Sequence, residues 1–371
     1  MNQTPLKRPA ASEIEVSIFG PGFGESIVVH AGNDEWIIVD SCIDSRSGNP
    51  AALTYLNEIQ VDTSTAVKLI VATHWHDDHI AGMSELVRVC TSAKFACSMA
   101  LTQTEFIEVA KVYSYRPLIG VPSGPTEIYQ TLSTVMGRRQ HPVYATADRT
   151  LFRMKRGAAG ETVWEVTALS PTDGELQRFL ARIAALIPPP KPLVTKSRLP
   201  NPGKNDLSVA TWIKIGDIQI LLGADLEEHG VQGRGWTAVL ASSARPPGVA
   251  SLFKIAHHGS SNGHHAGVWS SMLGSAPMAV LTPWTLGGSE LPQSADVQRI
   301  RNLTPNAHST SRLNAPGLQF LPPAVRRTLR EANISIRQAE PPTGFVRLRL
   351  PAASSGPANW SLTASDNAVR L

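Results

Sequence analysis

The sequence predicts an α/β protein, and three observations carry that prediction. Short apolar stretches rich in β-branched residues, such as Lys68-Leu69-Ile70-Val71-Ala72, recur between helix-like stretches and are too short to be helices themselves. A hydrophobic share of 42% with 17% charged residues is a globular composition. The strand at 68–72 is followed at once by His74-Trp75-His76-Asp77-Asp78-His79, three imidazoles and two carboxylates delivered at a strand end.

Size and composition set the outer bounds. A chain of 371 residues can bury a core as one large domain or as a domain with an appendage. No apolar run approaches the ~18 residues that would span a bilayer, so no membrane partner is expected. Lys7 and Arg8 lie near the start without an apolar stretch behind them, so no signal peptide is read. Cys42, Cys90 and Cys97 do not suggest a disulfide framework and fit buried thiols of a reduced, cytoplasmic protein. The net charge of +4 says little about partners.

Taken in order, 13–19 and 26–29 read as a hairpin closed by a glycine-rich turn, and 36–39 as the next strand. Gly20-x-Gly22-x-Gly24 is not a nucleotide loop, because no helix follows it. Asp40 closes the third strand, and one reading makes it the cap of a helix over 50–59. After the histidine cluster, 84–89 starts a helix and 95–99 a strand, while 104–113 and 128–136 are helical segments over the same face. Strands at 150–155 and 162–169 flank Gly157-Ala158-Ala159-Gly160 as a hairpin, and Thr172 or Asp173 caps a helix running to about Leu186. The proline-rich stretch 187–204, with Lys191, Lys196, Arg198 and Lys204, reads as an extended lid or linker, or as a surface crossing without a role. Strands follow at 205–213, 218–222, 251–256 and 278–281, with a helix near 236–242.

The histidine cluster carries the chemistry. Neutral imidazoles and carboxylates are the donors that borderline divalent metals prefer, and residues alternating past a strand end can converge on one point. His74 and His76 share that alternation; Asp78 and His79 fall where the chain turns into a helix, and Gly82 lets the backbone pass closely.

His74-x-His76-x-Asp78-His79 resembles the HxHxDH signature of the metallo-β-lactamase superfamily. Leu221-Leu222-Gly223-Ala224-Asp225-Leu226 resembles that family's strand ending in a bridging aspartate, and Lys254-Ile255-Ala256-His257-His258-Gly259-Ser260 its last histidine motif, in the His-His-Gly-Ser form of ComEC-type DNA-uptake domains. The glycine-rich first hairpin is similar to those domains as well, and the resemblance runs over about 14–285. It implies an αββα sandwich and a two-metal hydrolase binding zinc or manganese. The implied ligands are His74, His76, Asp78, His79, Asp225 and His257, with Asp78 also catalytic, and a hydroxide shared between the two ions. Asp40 resembles the early aspartate beneath the metal site, where a carboxylate can orient a ligating imidazole. His257 is preferred to His258 because it comes first after the strand, so that His258 points to the other face if strand geometry persists. Asn205-Asp206-Leu207-Ser208 stands where many relatives carry Gly-His-Thr, so Asn205 or Asp206 is expected to offer oxygen in place of nitrogen, which favours harder ions such as manganese.

Two units are expected: a catalytic core over 1–285 and an arginine-rich extension over 286–371 that completes or flanks it. From Gln293 onward there are ten arginines, no lysine and four acidic residues, with helices at 295–303 and 324–332 and a strand at 345–350 that puts Arg347 and Arg349 on one face. Guanidinium forks suit phosphate oxygens, which makes these two arginines candidate substrate contacts and nucleic acid the candidate partner; the other reading is an ordinary charged surface. Phosphodiester hydrolysis of nucleic acid is the leading expectation. Hydrolysis of a carboxylic ester, lactone or thioester, or a non-catalytic module, are the alternatives.

Overall fold

The computed structural model of the protein describes residues 6–20, 23–114, 124–157, 160–185, 205–286, 289–313, 325, 327, 328, 332, 343–352 and 358–371. Alternation decides its layers. Along β1 (Glu13–Gly20), β2 (Ser26–His30), β3 (Trp36–Val39) and β4 (Val67–Ala72) nearly every residue is buried, because both faces of the sheet are covered. Leu69 and Val71 point to one hydrophobic layer and Ile70 and Ala72 to another. Strands β5 (Lys94–Ser98) and β6 (Val143–Ala145) extend this sheet in parallel with β4.

A second sheet is built from β7 (Arg149–Arg156), β8 (Glu161–Ala168), β9 (Thr211–Ile215), β10 (Ile218–Leu222), β11 (Ala250–Lys254) and β12 (Leu273–Leu281). A small hairpin of β13 (Trp284–Leu286) and β14 (Ser289–Leu291) precedes β15 (Ala307–Ser309), which pairs with β12. Then β16 (Gly344–Pro351) and β17 (Ser361–Ala364) return to the first sheet beside β1, and β18 (Val369–Arg370) joins the second beside β15. Two eight-stranded sheets result. Isoleucines and valines from both fill the space between them.

Helices cover the outer faces. On the first sheet lie α1 (Ala51–Glu58), α2 (Thr63–Ala66), α3 (Asp77–Ile80), α4 (Met83–Val89), α5 (Thr104–Ser114), α6 (Gly124–Gly137) and α7 (Asp173–Ala184); on the second lie α8 (Gly235–Ala241), α9 (Ala266–Ser271) and α10 (Ser294–Leu303). This is a mixed α/β architecture of the αββα sandwich kind. Thr172 caps α7 with a reciprocal bond from Glu175. The expected strand over 205–213 starts later, at Thr211, because 205–210 is a buried loop that passes the end of β4, where the Val209 N–H donates to the Thr73 carbonyl. Among the described residues no helix is long and apolar enough to cross a membrane. Cys42, Cys90 and Cys97 are free and buried. The proline-rich stretch 187–204 lies outside the described residues, as does most of 324–332.

Arg347 and Arg349 do share a face of β16, but that face is inside. Both lie opposite β1, where Arg349 Nε donates to Glu15 Oε2 at 2.7 Å and Arg347 Nε donates to Ser17 Oγ at 2.9 Å. Tyr55 Oη donates to the other Glu15 oxygen at 2.6 Å, and the Arg347 guanidinium lies 4.3 Å from the Tyr55 ring centre. The substrate role expected of these arginines is therefore corrected: Arg347 is buried, and Arg349 is paired with the buried Glu15 carboxylate. Arg347→Ala should lower the unfolding free energy by roughly 3 kcal/mol, since Glu15 loses a buried partner. Denaturant titration should show that loss while metal content stays at the wild-type level, and an undiminished midpoint would disprove the assignment.

Candidate metal centre

Strand β4 ends at Ala72, and the turn after it is fixed from beneath by Asp40. Thr73 donates its N–H to Asp40 Oδ1 and its hydroxyl to Oδ2, both at 2.7 Å. His79 Nδ1 lies 2.8 Å from Asp40 Oδ2, so that nitrogen carries the proton it donates. Because its hydroxyl proton goes to Asp40, Thr73 Oγ1 is left to accept from His74 Nδ1 at 3.0 Å. Asp40 does not cap α1, which has Pro50 at its N-cap and no side-chain bond there.

The second sheet supplies the other half. Gly223 lets the ends of β10 and β11 touch, since a Cβ there would lie 2.8 Å from the Ala256 Cβ. The His257 N–H then donates to the Ala224 carbonyl at 2.9 Å, which locks Asp225 beside the two histidines. His258 does not turn away as strand alternation predicts. The strand stops at Lys254, and His257 and His258 both take positive φ values, 47° and 52°, so both rings swing toward Asp225. Of the two, His258 is the deeper. Its Nε2 is 3.3 Å from Asp78 Oδ2 and 3.5 Å from Asp225 Oδ2, while its Nδ1 donates to the Thr282 carbonyl at 2.9 Å. His257 Nδ1 pairs with Asn262 Oδ1 at 2.8 Å, leaving Nε2 3.9 Å from Asp225 Oδ2.

Asp225 stands at the middle. Its Oδ1 lies 3.3 Å from His79 Nε2, and its Oδ2 lies 3.9 Å from His74 Nε2. The His76 ring packs edge-on against His74 with centroids 4.7 Å apart. Four imidazoles thus have Nδ1 turned to a protein oxygen and Nε2 turned inward, the orientation that metal-ligating histidines adopt. His74 Nε2, His79 Nε2, His258 Nε2, Asp225 Oδ1 and Asn205 Oδ1 are buried atoms without a hydrogen-bond partner. Buried polar atoms are rarely left so, and this donor set suits a divalent cation.

Sequence reasoning missed Glu25, Lys254, Thr282 and Glu227. Glu25, His79, Asp225 and His258 each place one donor atom within 4.8 Å of the others. Yet Glu25 approaches both rings from the Nδ1 side, 3.7 Å from His79 and 3.9 Å from His258, so it lies behind the imidazoles rather than among the inward nitrogens. Its charge is met there by fully buried Lys254 and by the Thr282 hydroxyl, 2.7 Å away. Lys254 was visible as a lone charge in an otherwise apolar strand. Asp206, expected as an alternative oxygen donor, is committed elsewhere: Arg182 and Arg234 hold it at 2.7 and 2.8 Å. Asn205 is the member of that motif facing the centre, 3.3 Å from His257 Nε2 and 3.2 Å from Glu227 Oε1.

Electrostatics divide the rings. Burial, with His79 and His76 nearby, keeps His74 neutral, and burial also lowers His76. Burial alone would do the same to His258, but Asp225 and then Asp78 outweigh it and lift the ring to about 9. His79 is raised in the same way by Asp225, Glu25, Asp78 and Asp40. Burial would raise Asp78 and Asp225, yet the neighbouring imidazoliums hold both below the usual carboxylate range. Without a metal, His79 and His258 carry the extra protons of the cluster and His74 stays neutral.

Residues 19–148 match the family model described as Metallo-beta-lactamase superfamily. That match supports the superfamily's fold here, and it includes Asp40 and the whole turn from His74 to His79 but ends before Asp225, His257 and His258. No curated protein matches the chain. Among solved structures, the metallo-beta-lactamase fold protein YhfI from Bacillus subtilis is 10% identical, with 80% of this chain and 95% of that one covered at a TM-score of 0.39. MEM-A1, a subclass B3 metallo-beta-lactamase from a soil metagenome library, is 14% identical over 68% of this chain and 80% of its own, at 0.34. A HARLDQ-motif mutant of the metallo-beta-lactamase from Cronobacter sakazakii is 13% identical over 66% and 77%, also at 0.34.

Two outcomes follow from this geometry. Asp40→Ala frees the His79 ring and should weaken metal affinity roughly 10- to 100-fold, measured by competition with a chelating dye; unchanged affinity would mean that Asp40 only holds the turn. His258 is held protonated up to about 9, so the proton-filled form competes with metal at neutral pH, and metal affinity should climb as pH rises toward that value. Calorimetry at pH 7 in buffers of different ionisation enthalpy should detect about one proton or more released per uptake event. The same raised value means that the metal-free protein draws stability from this ring fully below about 6.5 and loses it as pH rises through about 9.

Proposed function

We propose that the protein is a metal-dependent hydrolase that cleaves phosphodiester bonds in nucleic acid with two divalent ions, zinc or manganese. The observation that carries the hydrolase reading is the ring of inward, unpartnered Nε2 atoms around Asp225. One position would be held by Asp78, His79 and His258, and the other by His74, His76 and His257, with Asp225 between them and the Asn205 side chain beside His257. The carboxylate oxygens admit manganese beside zinc. Divalent ions held there would supply Lewis acidity toward a water and toward the oxygens of the group under attack.

The chain's own residues supply the rest. Asp78 and Asp225 present carboxylates that stay ionised at neutral pH and so balance cationic charge in a buried pocket. Asp40, Thr73 and Thr282 hold the imidazoles in one orientation, so no reorganisation is needed when charge develops. Phosphodiester is preferred to a neutral ester on the likeness of the His257-His258-Gly259-Ser260 motif to that of ComEC-type domains.

The test is direct. Metal-loaded protein incubated with supercoiled plasmid and with single-stranded oligonucleotides should cut at least one of them with zinc, manganese or magnesium, and Asp78→Ala should reduce kcat by at least about 10² while retaining the wild-type circular dichroism spectrum. Nucleic acid left intact by all three metals, alongside turnover of a carboxylic ester, lactone or thioester, would transfer the assignment to that chemistry. Metal content near zero would point to a non-catalytic module.

A further inference from the structure

Two aromatic rings stand beside the metal turn without helping to build it. Phe23 is 38% exposed and Trp284 is half-buried, and neither belongs to the three buried hydrophobic layers. Their centroids lie 6.4 Å apart with a 44° tilt. Both are anchored to the centre by one residue or two. Gly24 takes a φ of 105° and passes so close to the metal turn that a Cβ there would lie 3.3 Å from the Asp78 carbonyl oxygen. The next N–H, of Glu25, donates to that carbonyl at 2.8 Å. Trp284 follows two residues after Thr282, whose carbonyl accepts from His258 and whose hydroxyl donates to Glu25. Two residues of extended chain reach about 7 Å, so each ring's backbone stays within that distance of a residue that holds the centre.

We infer that Phe23 and Trp284 form a stacking platform for an unpaired nucleobase next to the bond being cleaved, an inference that rests on the phosphodiesterase reading. Large apolar rings on a surface cost free energy in water unless something covers them, and every base offers a flat face that can do so without sequence preference. In a duplex those faces are already covered by neighbouring base pairs, so the platform favours single strands. The platform lies on the Asp78 and His258 side of Asp225.

The test compares a short oligothymidylate with an abasic oligonucleotide of equal length, bound in chelator so that nothing is cut, with affinities read by fluorescence anisotropy. Wild type should bind the oligothymidylate at least about tenfold more tightly. Phe23→Ala and Trp284→Ala should each remove roughly a factor of ten from that preference, and the abasic oligonucleotide should bind all three proteins alike. Phe23→Leu keeps the volume but removes the flat face, and should lose as much as Phe23→Ala even if the alanine variant folds poorly; Trp284→Phe should retain most of the preference. Wild type that does not distinguish the two oligonucleotides, or variants that weaken both equally, would overturn the platform. Metal-loaded cleavage separates the two readings: base preference without cleavage of either oligonucleotide would sink the hydrolase assignment alone, and cleavage of both without base preference would sink the platform alone.

Discussion

His74, His79, His257 and His258 offer Nε2 because Nδ1 of each is already bonded to a protein oxygen, and the rest of the site depends on that constraint. Asp40 is the root of it in the first sheet: one carboxylate takes the Thr73 N–H and hydroxyl and the His79 ring, and through Thr73 it also sets His74. Thr282 and Asn262 do the equivalent for His258 and His257 in the second. A free imidazole can flip and change tautomer; His74, His79 and His258 cannot without leaving a buried group unpaired. Beneath them Glu25 and Lys254 form a buried pair that keeps the underside of the rings polar but balanced.

Much of the first half of the site was legible in the sequence because its signals are local. His74, His76, Asp78 and His79 lie within one turn after a strand whose β-branched run identifies it, and Asp40 ends a neighbouring strand. The second half was less legible. Preferring His257 to His258 assumed that strand geometry runs on, and two left-handed residues in succession, neither of them glycine, are not something a sequence announces. Asp206 and Asn205 were indistinguishable as oxygen donors until Arg182 and Arg234 were seen to claim Asp206. Those arginines stand 24 and 28 residues from it, a pairing that no periodicity encodes.

The arginine-rich tail shows the opposite failure. Alternation correctly put Arg347 and Arg349 on one face of a strand, and composition made that face look like a surface. What composition could not show was Glu15, 334 residues from Arg349, waiting on the adjacent strand with Tyr55 behind it. Local geometry was read correctly and the environment wrongly, because the environment is set by which strand lands next to which. Within the tail, β16 and β17 form one edge of the first sheet and β18 one edge of the second.

The centre is assembled from both sheets, with Asp40 and the turn from His74 to His79 contributed by the first and Asp225, His257 and His258 by the second. During synthesis from the N-terminus the first donors emerge early but have nothing to close against until about residue 258 has left the ribosome. A cation would meet a partial, low-affinity set before then and a complete one only after the sheets have docked. Metal uptake would thereby be tied to long-range contacts between the two sheets, which are slow to form. Once bound, it would act as a clasp between the sheets and resist their separation with a strength set by free metal concentration.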